Sequence, residues 1–198
     1  VPSQPSRAAY HHGDLRAACL RAARELLAEE GGAGLSLRAV ARRAGVSPTA
    51  PYRHFADRQS LVSAVAAEGY RELAGYLAAA HPAPETPDDL AAVAGAYVRF
   101  ALERPGLFRA MFAEPCDPDH DERVAANSVV KAYVEDLVKR AFPHTGADAG
   151  DLATAVWALV HGLAFLHIDS KLDASAGVDE RVRAAVHALL TVKAGNRP

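Results

Sequence analysis

Apolar residues recur three or four positions apart along most of the chain, the spacing of helices with one buried face. Runs of alternating β-branched residues, the mark of strands, are absent. The sharpest pattern lies in residues 35–55. Ser36 is placed to cap a short helix with Leu37, Val40 and Ala41 on one face. Gly45 ends it, because glycine accepts the left-handed conformation of a sharp turn. Val46 can plug the corner, and Ser47 and Pro48 suit the cap and first position of a second helix. Tyr52 and Phe55 then fall on one face. Pro51 removes one hydrogen bond and crowds the Ser47 carbonyl, so this second helix is expected to start irregularly.

The flanking elements follow the same logic. Asp14 is expected to cap a helix over 14–30, with the stripe Leu15, Cys19, Ala22 and Leu26, ended by Gly31-Gly32. Residues 1–13 read as an arm, either trailing along DNA or simply without structure. Asp57 caps a helix over 58–79 with Leu61, Val65, Tyr70, Leu73 and Leu77 inward. A proline-rich break covers 81–87. Helices are expected over 88–103, 107–112, 123–142, 151–169 and 178–192, the last on the stripe Val182, Ala185, Val186, Leu189 and Leu190. The expected fold class is all-α: a three-helix helix-turn-helix head over 1–56, then a body of about six helices over 57–198.

Charge divides the chain at the same place. Before Ala56 the count is eight Arg against four acids, and from Asp57 on it is fourteen Lys or Arg against twenty acids. A basic head on an acidic body suits a phosphate-binding module, although Arg42 and Arg43 alone would also fit a solvated helix face. A helix-turn-helix places its second helix in the major groove. Arg38 is the leading candidate for a base contact, since Arg reads guanine bidentately. Thr49, Pro48 and Arg53 come next.

These residues resemble the DNA-binding head of the tetracycline-repressor-like (TetR) family of transcriptional regulators. Leu37, Ala41, the Ala44-Gly45-Val46-Ser47 turn, Tyr52, Phe55 and Leu61 carry the resemblance. The family typically has Lys where this chain has Arg58 and often Glu where it has Gln59. Matching positions imply DNA contacts at Ser47, Tyr52, His54 and Arg58 as well, the last three to phosphates. Trp157, His161 and Gly162 resemble the Trp-x-x-x-His-Gly signature of one C-terminal subclass. The resemblance implies a homodimer, a small-molecule effector of unknown identity, a near-palindromic operator and, most often, repression.

The stretch 151–169 is apolar nearly all round and is expected to be buried on both sides, hence at a subunit interface. Ala158 and Gly162 would admit a close partner helix, and two helices per subunit would form a four-helix bundle across a two-fold axis. The stretch is short for a membrane span. Candidate effector residues are Tyr97, Phe100, Phe108, Met111, Tyr133, Trp157 and His161. Each has a plain core or interface reading too, and an apolar aromatic lining would suit a small hydrophobic or aromatic ligand. The acidic run 114–122 with His120 lacks a calcium-loop pattern and reads as a capping loop, so no metal is expected. Two cysteines make no disulfide framework: Cys19 reads as core, Cys116 as a loop residue with a redox sensor as the alternative. No signal peptide or span opens the chain, and a cytoplasmic location without cofactor is expected. No di-iron Glu-x-x-His pair, phosphate loop or nucleophile signature points to an enzyme. A helical ligand- or partner-binding dimer with little sequence-specific DNA binding is the other class.

Overall fold

A computed structural model describes residues 12–81, 84–115, 117–142, 148–172 and 177–194. The arm before His12, Cys116 and most of the loop at 143–150 lie outside the described residues. So does the Leu190 side chain. Among the described residues there are eight α-helices and no strands.

The N-terminal unit is α1 (His12–Glu30), a 3-10 turn at Gly32–Gly34, α2 (Leu37–Arg43) and a second 3-10 turn at Ala50–Arg53. α1 starts two residues before Asp14, so Asp14 is not its cap. Gly31 leaves the helix with φ of 68°, the left-handed value that favours glycine. Ser36 caps α2 as expected, its hydroxyl accepting from the Ala39 amide at 3.1 Å.

The body begins with α3 (Arg58–Ala80), on a capping box in which Asp57 and Ser60 satisfy each other's backbone amides. Then come α4 (Pro87–Glu103), α5 (Pro105–Phe112), α6 (Asp121–Ala141), α7 (Ala149–Ile168) and α8 (Val178–Ala194). Pro105 and Gly106 open α5 instead of merely stopping α4: proline suits the first turn, where its missing N–H costs nothing. A β-carbon at Gly106 would overlap the Leu27 carbonyl, so glycine lets α5 press directly on α1. His120 caps α6 by accepting from the Arg123 amide, which gives the acidic loop a capping role.

α3 is the spine, packed against α1, α4, α5 and α6, while α4 packs against α7 and α8. One continuous core runs from Leu15 to Val186 and takes in every inward residue expected on α3. Removing each such Leu or Phe from water contributes about 1.5–3 kcal/mol. Within the single chain α7 has one buried face and one open face. It is long and apolar enough to cross a membrane by length and composition, yet only 28% of its apolar window is buried. Leu152, Val156, Val160 and Ala164 face the core, whereas Ala158, Gly162 and Leu166 face outward.

Candidate nucleic-acid interface and ligand cavity

The turn of the helix-turn-helix forms as expected, and its second element differs. Gly45 turns the chain at φ of 68°, and Val46 packs its side chain against the core. The second element is a 3-10 turn rather than an α-helix, and Thr49 rather than Ser47 stands at its cap. Pro51 supplies the reason. Its nitrogen cannot donate to the Ser47 carbonyl four residues back, and the Ala50 amide takes that carbonyl instead, at 3.0 Å. Pro51 itself is buried. Tyr52 and Phe55 do not share a face either: Tyr52 is 51% exposed and Phe55 only 2%.

The exposed residues of this unit include Arg38, Arg42, Ser47, Pro48, Thr49, Tyr52 and Arg53. They join the start of α2 to the second 3-10 turn, where groove-facing residues belong. Two expected phosphate contacts sit differently. His54 lays its ring edge-on to Phe55, 6.3 Å between centroids, and buries Nε2. Arg58 points inward. Its Nε donates to the Leu35 carbonyl at 3.0 Å, and its Nη2 donates to the Gly32 carbonyl at 2.9 Å and the Glu114 carboxylate at 2.6 Å.

Other head arginines serve the seam with the body. Arg16 pairs with Glu122 at 3.0 Å, and Arg24 with Glu72 at 2.5 Å. Arg104 holds the other oxygen of Glu72, also at 2.5 Å. Burial alone would raise the Glu72 carboxyl, but hydrogen bonds and charge from Arg24 and then Arg104 outweigh it and hold it below its ordinary range. Within the head, Arg43 grips Glu29 with both nitrogens, at 3.0 and 2.6 Å, and ties α2 to α1. The positive charge counted in the sequence is thus only partly available to a phosphate backbone.

A cavity of about 460 Å³, open to solvent on one side, lies between α3, α4, α5, α6 and α7. Tyr70, Tyr97, Phe112 and Trp157 supply aromatic walls, with Val130, Val134 and Ala153 between them. Asn127, Lys131, Glu135 and Thr154 add polar groups. Of the residues expected here, Tyr97 and Trp157 line the space. His161 stands behind them: its Nδ1 and the Tyr97 hydroxyl share a hydrogen bond at 2.9 Å, and its ring lies 4.7 Å from Phe112. Burial pushes the Tyr97 hydroxyl upward and the His161 imidazole downward, so both are neutral near pH 7.

The remaining expected residues do not reach the lining. Phe108 is fully buried behind Phe112 and His161, in ring contact with Tyr97 and Phe165 as well. Phe100 is buried against Tyr76 and the Arg104 guanidinium. Met111 is a core residue packed where a β-carbon on Gly69 would fall. Tyr133 turns its hydroxyl to the Leu77 carbonyl at 3.4 Å. Asn127, Lys131 and Glu135 were missed because they flank the apolar stripe of α6. Their spacing of four, beside Val130 and Val134, marks a polar edge that runs along one side of that stripe.

Comparison with known proteins agrees with both parts. A family model described as "Bacterial regulatory proteins, tetR family" matches residues 20–65, and one described as "Tetracyclin repressor-like, C-terminal domain" matches residues 90–189. An HTH-type transcriptional regulator of Mycobacterium tuberculosis is 32% identical over 120 residues, covering 57% of this chain and 51% of that protein. The chain spans about half the length of the curated mycobacterial relatives it matches. A solved protein of unknown function from Rhodococcus sp. RHA1 is 36% identical, with a TM-score of 0.79 over 96% of this chain and 98% of that one. The TetR-family regulator PfmR of Thermus thermophilus shares the fold at 18% identity, with a TM-score of 0.66 over 87% of this chain and 97% of that one. With one such model over the head and another over half of the chain, this protein belongs to the tetracycline-repressor-like family of bacterial regulatory proteins.

Proposed function

We propose that this chain is a homodimeric, DNA-binding transcriptional repressor, released from a near-palindromic operator when a small apolar or aromatic molecule enters the body cavity. The observation that carries this reading is the exposed corner of Arg38, Thr49, Tyr52 and Arg53 on a helix-turn-helix whose other side is fully packed. Arg38 is assigned the base contact, with Ser47, Pro48, Thr49 and Arg53 beside it and Tyr52 on phosphate. We place the division of labour near residue 56, with DNA recognition before it and ligand binding and pairing after it.

Dimerisation is assigned to α7 and α8. The outward face of α7 is apolar and open along Ala158, Gly162 and Leu166, with Leu166 at 42% exposure, and Gly162 has open space where a β-carbon would stand. A second copy would cover that face and let two helix pairs form a four-helix bundle. Such pairing also accounts for an apolar helix of which the single chain buries only a minor part.

The ligand class follows from the lining. Four aromatic walls and three aliphatic ones favour a flat apolar molecule, and a volume of about 460 Å³ is in the range of small-molecule sites. The ligand must prefer the released form, since only differential affinity shifts the equilibrium.

The test is selection of duplexes from a random pool by the purified chain, then titration of the selected duplex against a scrambled one at several salt concentrations. Sequence-dependent binding that weakens steeply with salt supports the reading. Equal affinity for both duplexes contradicts it and leaves a ligand-binding helical dimer.

A further inference from the structure

We propose that Arg58 acts in DNA recognition as a positioning residue, a clasp that sets the head on the body, and does not contact phosphate. The proposal rests on the DNA-binding reading and concerns how that head is held. Arg58 is the first residue of α3, yet its guanidinium reaches back across the chain. It bonds the carbonyls of Gly32 and Leu35 at 2.9 and 3.0 Å and the Glu114 carboxylate at 2.6 Å. A planar guanidinium with a rigid fork of donors can serve three acceptors at once, which a lysine ammonium on a flexible stem matches poorly.

The bonded carbonyls belong to the short turn that feeds α2. The Gly32 carbonyl also accepts from the Leu35 amide at 3.2 Å, so Arg58 braces a turn already closed on itself. Ser36, the next residue, is the α2 cap. The clasp therefore fixes where α2 begins and where its first turn, with Arg38, points. Glu114 is admitted because Gly32 has no side chain: a β-carbon there would overlap its carboxylate. Glu114 is only 23% exposed and Arg58 35%, so the pair is partly shielded from solvent.

The anchor has a second side. Glu114 follows α5, whose last residue, Phe112, is a wall of the cavity. The clasp thus joins the turn before α2 to the segment that a bound ligand would touch. A phosphate contact through Nε or Nη2 would require these bonds to break, taking Arg58 from Glu114 and from the Leu35 carbonyl.

The experiment compares the full chain with the variants Arg58→Lys, Arg58→Ala and Glu114→Ala. Affinity for a duplex selected by the wild-type chain is measured across a salt series, and hydrogen exchange is followed for amides in residues 31–36, with α3 amides as the folding control. The clasp predicts that all three variants lose at least five-fold in affinity, keep the wild-type salt slope, and exchange faster in 31–36 but not in α3. A phosphate contact predicts the opposite. Arg58→Lys would bind as wild type, Arg58→Ala would lower the salt slope by about 0.9, the share of one phosphate, and Glu114→Ala would bind normally. Either of those first two results overturns the proposal. If the wild-type chain selects no duplex, the DNA-binding reading falls by itself. The exchange data then decide the clasp: faster exchange in 31–36 upholds it, and unchanged exchange in Arg58→Ala and Glu114→Ala overturns it.

Discussion

At the scale of single residues, position in the fold outranks residue type. Eight arginines precede Ala56, and their roles separate only when their partners are known. Arg38 is exposed at the start of α2, Arg43 is gripped by Glu29, and Arg16 and Arg24 bridge to the body. Replacing Arg38 with Ala should therefore cost about 1–3 kcal/mol at one operator base pair and relax preference there. An equal loss on every sequence, measured by titrating single-base variants of the selected duplex, would make it a phosphate contact. His161 carries a second prediction. Burial holds its imidazole below the ordinary value of 6.5, so unfolding takes up a proton below that pH. Stability should consequently fall as pH drops from about 7 toward 5, before most carboxylates titrate. His161→Gln should flatten that part of the profile in denaturant titrations run at each pH, and an unaltered profile would assign the slope to other groups.

At the scale of elements, the Ser36 and Asp57 caps and the Gly45 turn were legible because they are local, whereas the expected caps at Asp14 and Ser47 fall elsewhere. The Ser36 cap, the Asp57 cap and the Gly45 turn follow from residue chemistry within a few positions, and the structure has them. Gly45→Ala gives a clean test of the turn. A β-carbon at Gly45 meets nothing within 4 Å, so the whole cost is conformational. The cost of a left-handed alanine should be about 1–2 kcal/mol, seen as a lower midpoint in urea with an unchanged slope. No loss of stability would mean that the turn relaxes to another conformation. The recognition segment was only half legible. Pro51 by itself argues for an irregular start, but the structure carries the irregularity through the whole segment, a 3-10 turn over Ala50–Arg53. The cavity was less legible still. Tyr97 and Trp157 belong to apolar stripes and could be guessed, whereas Phe108 and Met111 on a similar stripe are plain core. Whether a stripe residue meets a neighbour or a void is set by how five helices cross, and no single helix carries that information. The inward turn of Arg58 was hidden for the same reason, since Glu114 lies 56 residues away.

At the scale of the whole molecule, the proposed function gives an occupant to each of two exposed surfaces. The Arg38 and Arg53 corner takes DNA, and the open face of α7 takes a second copy. Leu166 is 42% exposed, so an aspartate there should fold and yet oppose pairing. Light scattering should show Leu166→Asp at half the wild-type mass; a wild-type mass would move the interface elsewhere. Pairing also governs recognition, because one head reads too few base pairs to be selective and two heads on a two-fold axis read a repeated site. The most direct measurement is therefore a hydroxyl-radical footprint of the wild-type chain on its selected duplex, with the mass of the complex. A paired repressor should give two protected segments about 34–36 Å apart, or a multiple of that, related by a near-palindrome and bound by an even number of chains. A single protected segment bound by one chain, or protection spread evenly along the duplex, would contradict it.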